Sequence, residues 1–238
     1  MRDADRLRLA TASALVVGPA LFLVDNLIHP EELARGNEAE QLAAIAADAD
    51  RWQIAHLIGF IGLIAICFSI LGLAWLVRRT HPALGLWSAV AGVSGVIGLA
   101  FAFAIDGYAW GILGEVAGHP RTNPATIEAA FDELQESGWA APYYTLAVVG
   151  FLGAMLALCW GLADGGWARV PAVALLAVGS FAVALEGLIA SNAYFIVSSA
   201  LFLVGGAAVA RELLRVPDDW LRLRGASRPR SRSRRAGR

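Results

Sequence analysis

Four side chains sit as titratable groups within or at the edge of apolar stretches: Asp25, His56, Asp106 and Glu186. Two of them close near-copies of one heptapeptide, FAFAIDG over residues 101–107 and FAVALEG over residues 181–187. Carboxylates gathered in a low-dielectric setting do not all stay ionised unaided; they share a proton, hold a cation or take an arginine partner. An imidazole beside them adds a group that exchanges a proton near neutral pH. Such a set suits the binding or movement of a proton, a cation or a small polar solute.

Two arginines stand at a matching depth, Arg51 beside Trp52 and Arg121 after His119-Pro120. They are expected to pair with Asp25 and Asp106, leaving Glu186, with no arginine in its short loop, as the most buried acid. Metal ligation is the competing chemistry, with His29, His56 and His119 as candidate ligands beside the acids. Zinc needs three or four ligands in fixed geometry, yet no two histidines stand at i, i+4 on one predicted helix. The sequence has no H-E-x-x-H, G-x-S-x-G, Walker A or G-x-G-x-x-G pattern, so nothing in it names a cofactor or a catalytic residue.

The elements that must position these residues are membrane helices. Charged residues make up 16% of the 238 and hydrophobic ones 58%, with a mean hydropathy of +0.59, against about 25% charged in an ordinary soluble domain. Six stretches approach the roughly 20 apolar residues a spanning helix needs: 9–28, 53–77, 83–109, 141–163, 170–190 and 193–210. The first lacks a small-x-small cleavage pattern and is read as a retained helix. The fold class is therefore all-α, a polytopic bundle over residues 1–212 followed by a basic tail, 213–238. The Arg-, Ser-, Gly- and Pro-rich tail will not build a core.

All nineteen basic residues are arginine. They concentrate before the first stretch, in the 2–3 and 4–5 turns and after Arg211, whereas only Arg35, Arg51 and Arg121 fall on the other side. The positive-inside rule then places both termini in the cytoplasm of a cell whose inner or plasma membrane holds the chain. The bilayer is the first partner, anionic lipid at the tail the second, and a homo-oligomer is open; nothing in the chain reads nucleic-acid bases. Cys67 and Cys159 both lie in predicted spans and read as apolar packing residues.

The chain also repeats a hairpin. His29 to Trp52 and His119 to Trp139 each open on His-Pro, close on Trp and hold helical apolar spacing between: Leu42, Ile45 and Ala46 in one, Ile127, Phe131 and Leu134 in the other. Asn123-Pro124 is a helix start, with Asn123 as cap. GFIG (59–62) and GFLG (150–153) follow, and the last two stretches make a third copy with its outer loop removed. Parallel repeats of this kind are related by an axis along the membrane normal, which would bring Asp25, Asp106 and Glu186 into one layer.

On the stretch 20–79, with AEQLAAIAADADRW leading into the second span, the chain loosely resembles six-helix integral membrane proteins of actinobacteria and other bacteria whose function is unknown. The resemblance implies packed helices and carries no catalytic residues. Three function classes stand: a non-enzymatic protein with an acidic pocket for a small polar or cationic species, a membrane-embedded metal-dependent hydrolase, and a structural or partner-binding subunit.

Overall fold

The computed structural model describes residues 3–30, 38–117, 119, 121–123, 125–127, 129–130, 133, 140–186, 189 and 191–216. The described residues contain no strand, and the chain is an all-α membrane helix bundle. α1 is Asp3–Ile28, α2 Glu38–Ala47, α3 Ala49–Val77 and α4 Pro82–Phe103. α4 continues without a break through a π-helical segment, Ala104–Trp110, into α5, Gly111–Ala117. α6, Ala140–Thr145, passes through a second π-helical segment, Leu146–Gly150, into α7, Phe151–Asp164. α8, Val170–Ala184, and α9, Asn192–Arg215, complete the chain.

Five helical runs are long and apolar enough to cross a membrane: Asp5–Ile28, Ala49–Val77, Pro82–Ala117, Pro142–Asp164 and Asn192–Arg215. α8 is apolar but only 15 residues long, about 22 Å at 1.5 Å per residue. The third run extends well beyond the expected end at 109. Gly111 and Gly114 continue the helix rather than starting a loop, because each is buried against the segment that precedes α3 or begins it.

The helices form a ring in chain order. α1 packs on α3, α3 on α4, α4 on α7, α7 on α8, α8 on α9, and α9 returns to α1. α3 and α7 also touch across the middle. One continuous apolar core fills the ring, with Leu63, Ile66, Ile70 and Leu73 of α3 against Met155 and Leu158 of α7. Phe151 and Phe202 meet edge-to-face at 6.0 Å and join α7 to α9. Two buried serines are satisfied locally: Ser69 donates to the Ile66 carbonyl at 2.7 Å and Ser180 to that of Leu176 at 2.8 Å.

Close approach at small residues closes the α4–α7 seam, as in lipid, where packing rather than water exclusion drives association. A Cβ on Gly95 would lie 2.2 Å from the Phe151 backbone nitrogen, and one on Gly150 would lie 2.8 Å from the Ala91 oxygen. The small residues of GVSGVIGLAFAFA, residues 92–104, supply the α4 side of this seam.

At the arginine-rich end, Pro82 starts α4 and the preceding turn is tied down by side chains. His81 Nε2 lies 2.8 Å from Asp164 Oδ2, and the Arg79 guanidinium lies 3.8 Å above the Trp75 ring. At the opposite end α2 packs on α5, with Leu42 and Ile45 buried and Ile45 seated over Gly114. The apolar spacing of the first connecting segment thus covers the protruding end of α4–α5. In the second segment Asn123 Oδ1 accepts from the Ala125 amide at 3.1 Å, the expected cap, and Ile127 buries against Leu42 beside Trp110 and Leu113. Phe131, Leu134, Trp139 and residues 217–238 lie outside the described residues.

The two glycines of GFLG separate packing from helix propensity. Gly150→Ala is expected to destabilise by about 1–3 kcal/mol through overpacking, seen as a lowered melting temperature of the purified protein in detergent. A Cβ on Gly153 meets nothing within 4 Å, so Gly153→Ala is expected to be neutral or to stabilise by up to about 1 kcal/mol. Equal losses in the two variants would contradict the seam.

Candidate functional site

The site is built on α3. Trp52 and His56 stand four residues apart, one turn, so both point to the same face. That face is turned inward: Trp52 is fully buried and His56 is 7% exposed. Trp52, which closes the first His-Pro segment, is thus a core residue. Its indole N–H donates to the Asp106 backbone carbonyl at 2.9 Å. That carbonyl lies in the π-helical segment, whose i→i+5 pattern departs from the regular ladder; such segments recur at functional sites.

His56 is held from both sides. Its Nδ1 lies 2.8 Å from the Trp52 carbonyl and its Nε2 lies 3.2 Å from Asp106 Oδ2. Both neighbours are acceptors while Asp106 is ionised, so satisfying both ring nitrogens needs two N–H groups, which makes the ring an imidazolium. Gly107 allows the approach, because a Cβ there would lie 2.4 Å from His56 Cβ.

Asp25 reaches the same place from α1. A Cβ on Gly59, one turn along from Ala55 on α3, would lie 2.5 Å from Asp25 Oδ2 and 2.3 Å from the Phe103 ring. Asp25 is 3% exposed, within electrostatic reach of His56 and Asp106, and its Oδ1 has no hydrogen-bond partner among the described residues. Asp106 Oδ1 is in the same condition. A buried anionic oxygen left unpaired is costly.

His29 closes the cluster from the end of α1. Its ring packs against Trp52 at 4.5 Å, tilted by 55°, and meets His56 edge-on at 4.9 Å, and its Nδ1 lies 2.8 Å from the Pro30 carbonyl. Burial and then the neighbouring His56 push its pKa below the ordinary 6.5. Among the described residues no three His, Cys, Asp or Glu side chains are placed to hold one metal ion. His119 stands exposed, 3.4 Å from the Arg121 amide.

The expected arginine pairs take a different form. Arg51 lies 3.6 Å from Asp48, and its Nε donates to the Ile28 carbonyl, an orphan acceptor of the last turn of α1. The reason is angular: residue 51 precedes Trp52 by about 100° on the helix, so it faces outward when Trp52 faces in. Asp106 pairs with His56 rather than with Arg121, which is exposed.

Glu186 does not enter this cluster as the most buried acid. Asp25 is the buried one, and Glu186 is half-buried at the end of α8, where it accepts a hydrogen bond from Ser198 of α9. Asn26, next to Asp25, turns to α9 instead and donates to Ser199 Oγ at 2.7 Å and to the Phe195 carbonyl at 3.2 Å. Adjacent residues of α1 thus serve two neighbours.

A groove of about 470 Å³ runs beside the cluster between α3 and the π-helical segment. His56, Phe103 and Gly107 form its floor, and Asp50, Gln53 and Tyr108 its polar rim. Gln53 Nε2 donates to Glu115 at 2.7 Å and so links α3 to α5 across that rim. Ile54, Leu57 and Tyr108 are more than half exposed, so the groove opens sideways, toward lipid.

Comparison with family models, curated proteins and solved structures finds no match for this chain.

The His29 geometry carries a pH dependence. With its folded pKa below the unfolded one, the unfolded chain binds more protons as the medium acidifies. The contribution of His29 to stability is therefore full above about pH 6.5 and is lost as pH falls through the folded pKa. Melting temperatures taken between about pH 7.5 and 5 should fall less steeply for His29→Phe, which keeps an aromatic ring against Trp52, than for the wild type. Parallel curves would contradict the assignment.

Proposed function

We propose that the protein is a six-span inner- or plasma-membrane protein with both termini in the cytoplasm. In this reading α8 serves as the sixth, short span, and a small cation, foremost the proton, binds at Asp25, His56 and Asp106. The arginine distribution supports the orientation and puts the capped end outside. The observation that carries the binding reading is the unpartnered Oδ1 of buried Asp25 beside His56. His56 with an N–H on each acceptor carries one positive charge; Asp25 and Asp106 as carboxylates carry two negative ones. One monovalent cation completes neutrality, and the absence of a three-ligand constellation among the described residues favours a proton over a coordinated metal.

The groove lined by His56 supplies the access. A proton arriving at the Asp50 and Gln53 end of the groove, near the start of α3, reaches His56, which is within electrostatic reach of Asp25. An imidazole flanked by carboxylates is a suitable relay because its charge change falls near neutral pH.

A purely structural role is the second reading, favoured by the Trp52–Asp106 hydrogen bond and the tight contacts at Gly59 and Gly107. Infrared difference spectra of the protein in nanodiscs, recorded as pH is stepped, separate the two. The proposal expects a titrating carboxyl signal in the wild type that Asp25→Asn removes while the melting temperature is kept. A wild type with no such signal, or a signal unchanged in Asp25→Asn, would overturn it. His56→Gln removes the one cation between two acids. It is expected to lower stability by about 3 kcal/mol, toward the low end for a broken buried pair because Asp106 is about a third exposed.

Orientation is tested in a chain with Cys67 and Cys159 replaced by Ala. A membrane-impermeant thiol reagent added to intact cells should label Ala43→Cys and Thr122→Cys and spare Ser231→Cys. Labelling of Ser231→Cys alone would reverse the topology.

A further inference from the structure

A second groove, of about 710 Å³, lies at the arginine-rich end between α1 and α9. It is independent of the Asp25 cluster, which is at the other end of the bundle. Leu9, Ala12, Ser13, Val16 and Val17 line one wall; their spacing of i, i+3, i+4, i+7 and i+8 is a single helical stripe. Ala207, Ala210, Arg211, Leu214 and Arg215 line the other with the same spacing. The wall is therefore aliphatic and small in its depth and ends in two guanidiniums one turn apart.

The groove spans residues 9–17 and 207–215, eight steps of each helix or about 12 Å at 1.5 Å per residue, which is within one leaflet of a hydrocarbon core about 30 Å thick. Leu9, Val17 and Leu214 are about half exposed although they lie in membrane-spanning helices, so its open side faces acyl chains. Arg211 has no ion pair among the described residues, and Arg215 lies 3.7 Å from Glu212, whose other oxygen is 3.5 Å from Arg169. Glu212 is thus shared between two arginines, Asp5 of α1 lies 3.9 Å from Arg8, and among the described residues no acidic side chain lines the groove.

We infer that this groove binds one anionic phospholipid, its phosphate held by Arg211 and Arg215 and an acyl chain laid between α1 and α9. Paired guanidiniums suit the oxygens of a phosphate, and basic pockets between spanning helices at the positive side of a membrane are built for such headgroups. A zwitterionic lipid has the same chain but brings an ammonium to a mouth that is already positive. Free phosphate has the charge and no chain for the aliphatic wall.

The test uses the full chain purified in detergent, with native mass spectrometry for retained lipid and a melting curve with added lipid. Phosphatidylglycerol is expected to be retained at one equivalent and to raise the melting temperature, and phosphatidylcholine and inorganic phosphate to do neither. Arg211→Gln with Arg215→Gln should lose at least about tenfold in apparent affinity, the loss expected from about 1.4 kcal/mol. Ala207→Phe fills the groove and leaves every arginine, including those of the tail, in place; it should lose retention to a similar degree. Retention unchanged in either variant, or stabilisation by inorganic phosphate equal to that by phosphatidylglycerol, would overturn the inference. If the double variant fails to fold, the Ala207→Phe result alone decides, because Ala207 is exposed and its replacement disturbs no buried contact.

Discussion

His56 has an acceptor at each ring nitrogen, and the capped half of the bundle is arranged around that fact. One acceptor, the Trp52 carbonyl, belongs to its own helix; the other, Asp106, belongs to the π-helical end of α4. Bringing them to one ring requires α3 and α4 to come within side-chain-free distance, which Gly107 permits, and requires α1 to accept a carboxylate against Gly59. Trp52 then fills the space above and returns a hydrogen bond to the Asp106 backbone. His29 packs against Trp52, and Arg51 secures the end of α1 that carries it. A polar interaction in a low-dielectric setting is strong when complete and costly when incomplete, so each surrounding residue has a defined position relative to the ring.

The rest of the bundle follows a simpler logic. Helices in lipid gain little from apolar contact as such, since tails are as apolar as leucine. The ring is closed instead by backbones that approach at glycine and by aromatic contacts such as Phe151 with Phe202. Several polar residues outside the α3 cluster are satisfied within one turn, as at Thr11, whose hydroxyl donates to the Leu7 carbonyl at 2.8 Å, and others bond across helices, as Asn26 does to Ser199.

Much of this architecture is legible in the sequence because hydropathy and small-residue stripes act along the chain. The spans, the glycine seam, the cap at Asn123 and the inward face of Leu42 and Ile45 all follow from local pattern. Two kinds of statement do not. Partner choice across helices depends on rotation, and Arg51 was one residue, or about 100°, away from the face that holds Asp25. The repeat also misleads: FAFAIDG lies in a helix that widens to π geometry and continues to Ala117, whereas FAVALEG ends its helix at Ala184. Equal words therefore place Asp106 on α3 and leave Glu186 beside Ser198. Asp25 faces forward along the chain to α3 and Asp106 faces backward to it, so the two acids converge by unequal routes. No linear pattern encodes that.

The core that fills the ring has an electrical consequence. With Leu63, Ile66, Ile70, Met155 and Leu158 packed across the centre, the Asp25 cluster is a blind alcove, and a charge that enters must leave by the same mouth. Asp25 is three residues from the end of α1, but Asp106 is eleven from the end of its run at Ala117, about 16 Å at 1.5 Å per residue, so the cluster is recessed rather than superficial. In the proposed reading the alcove takes up and returns charge through one mouth and passes no steady current.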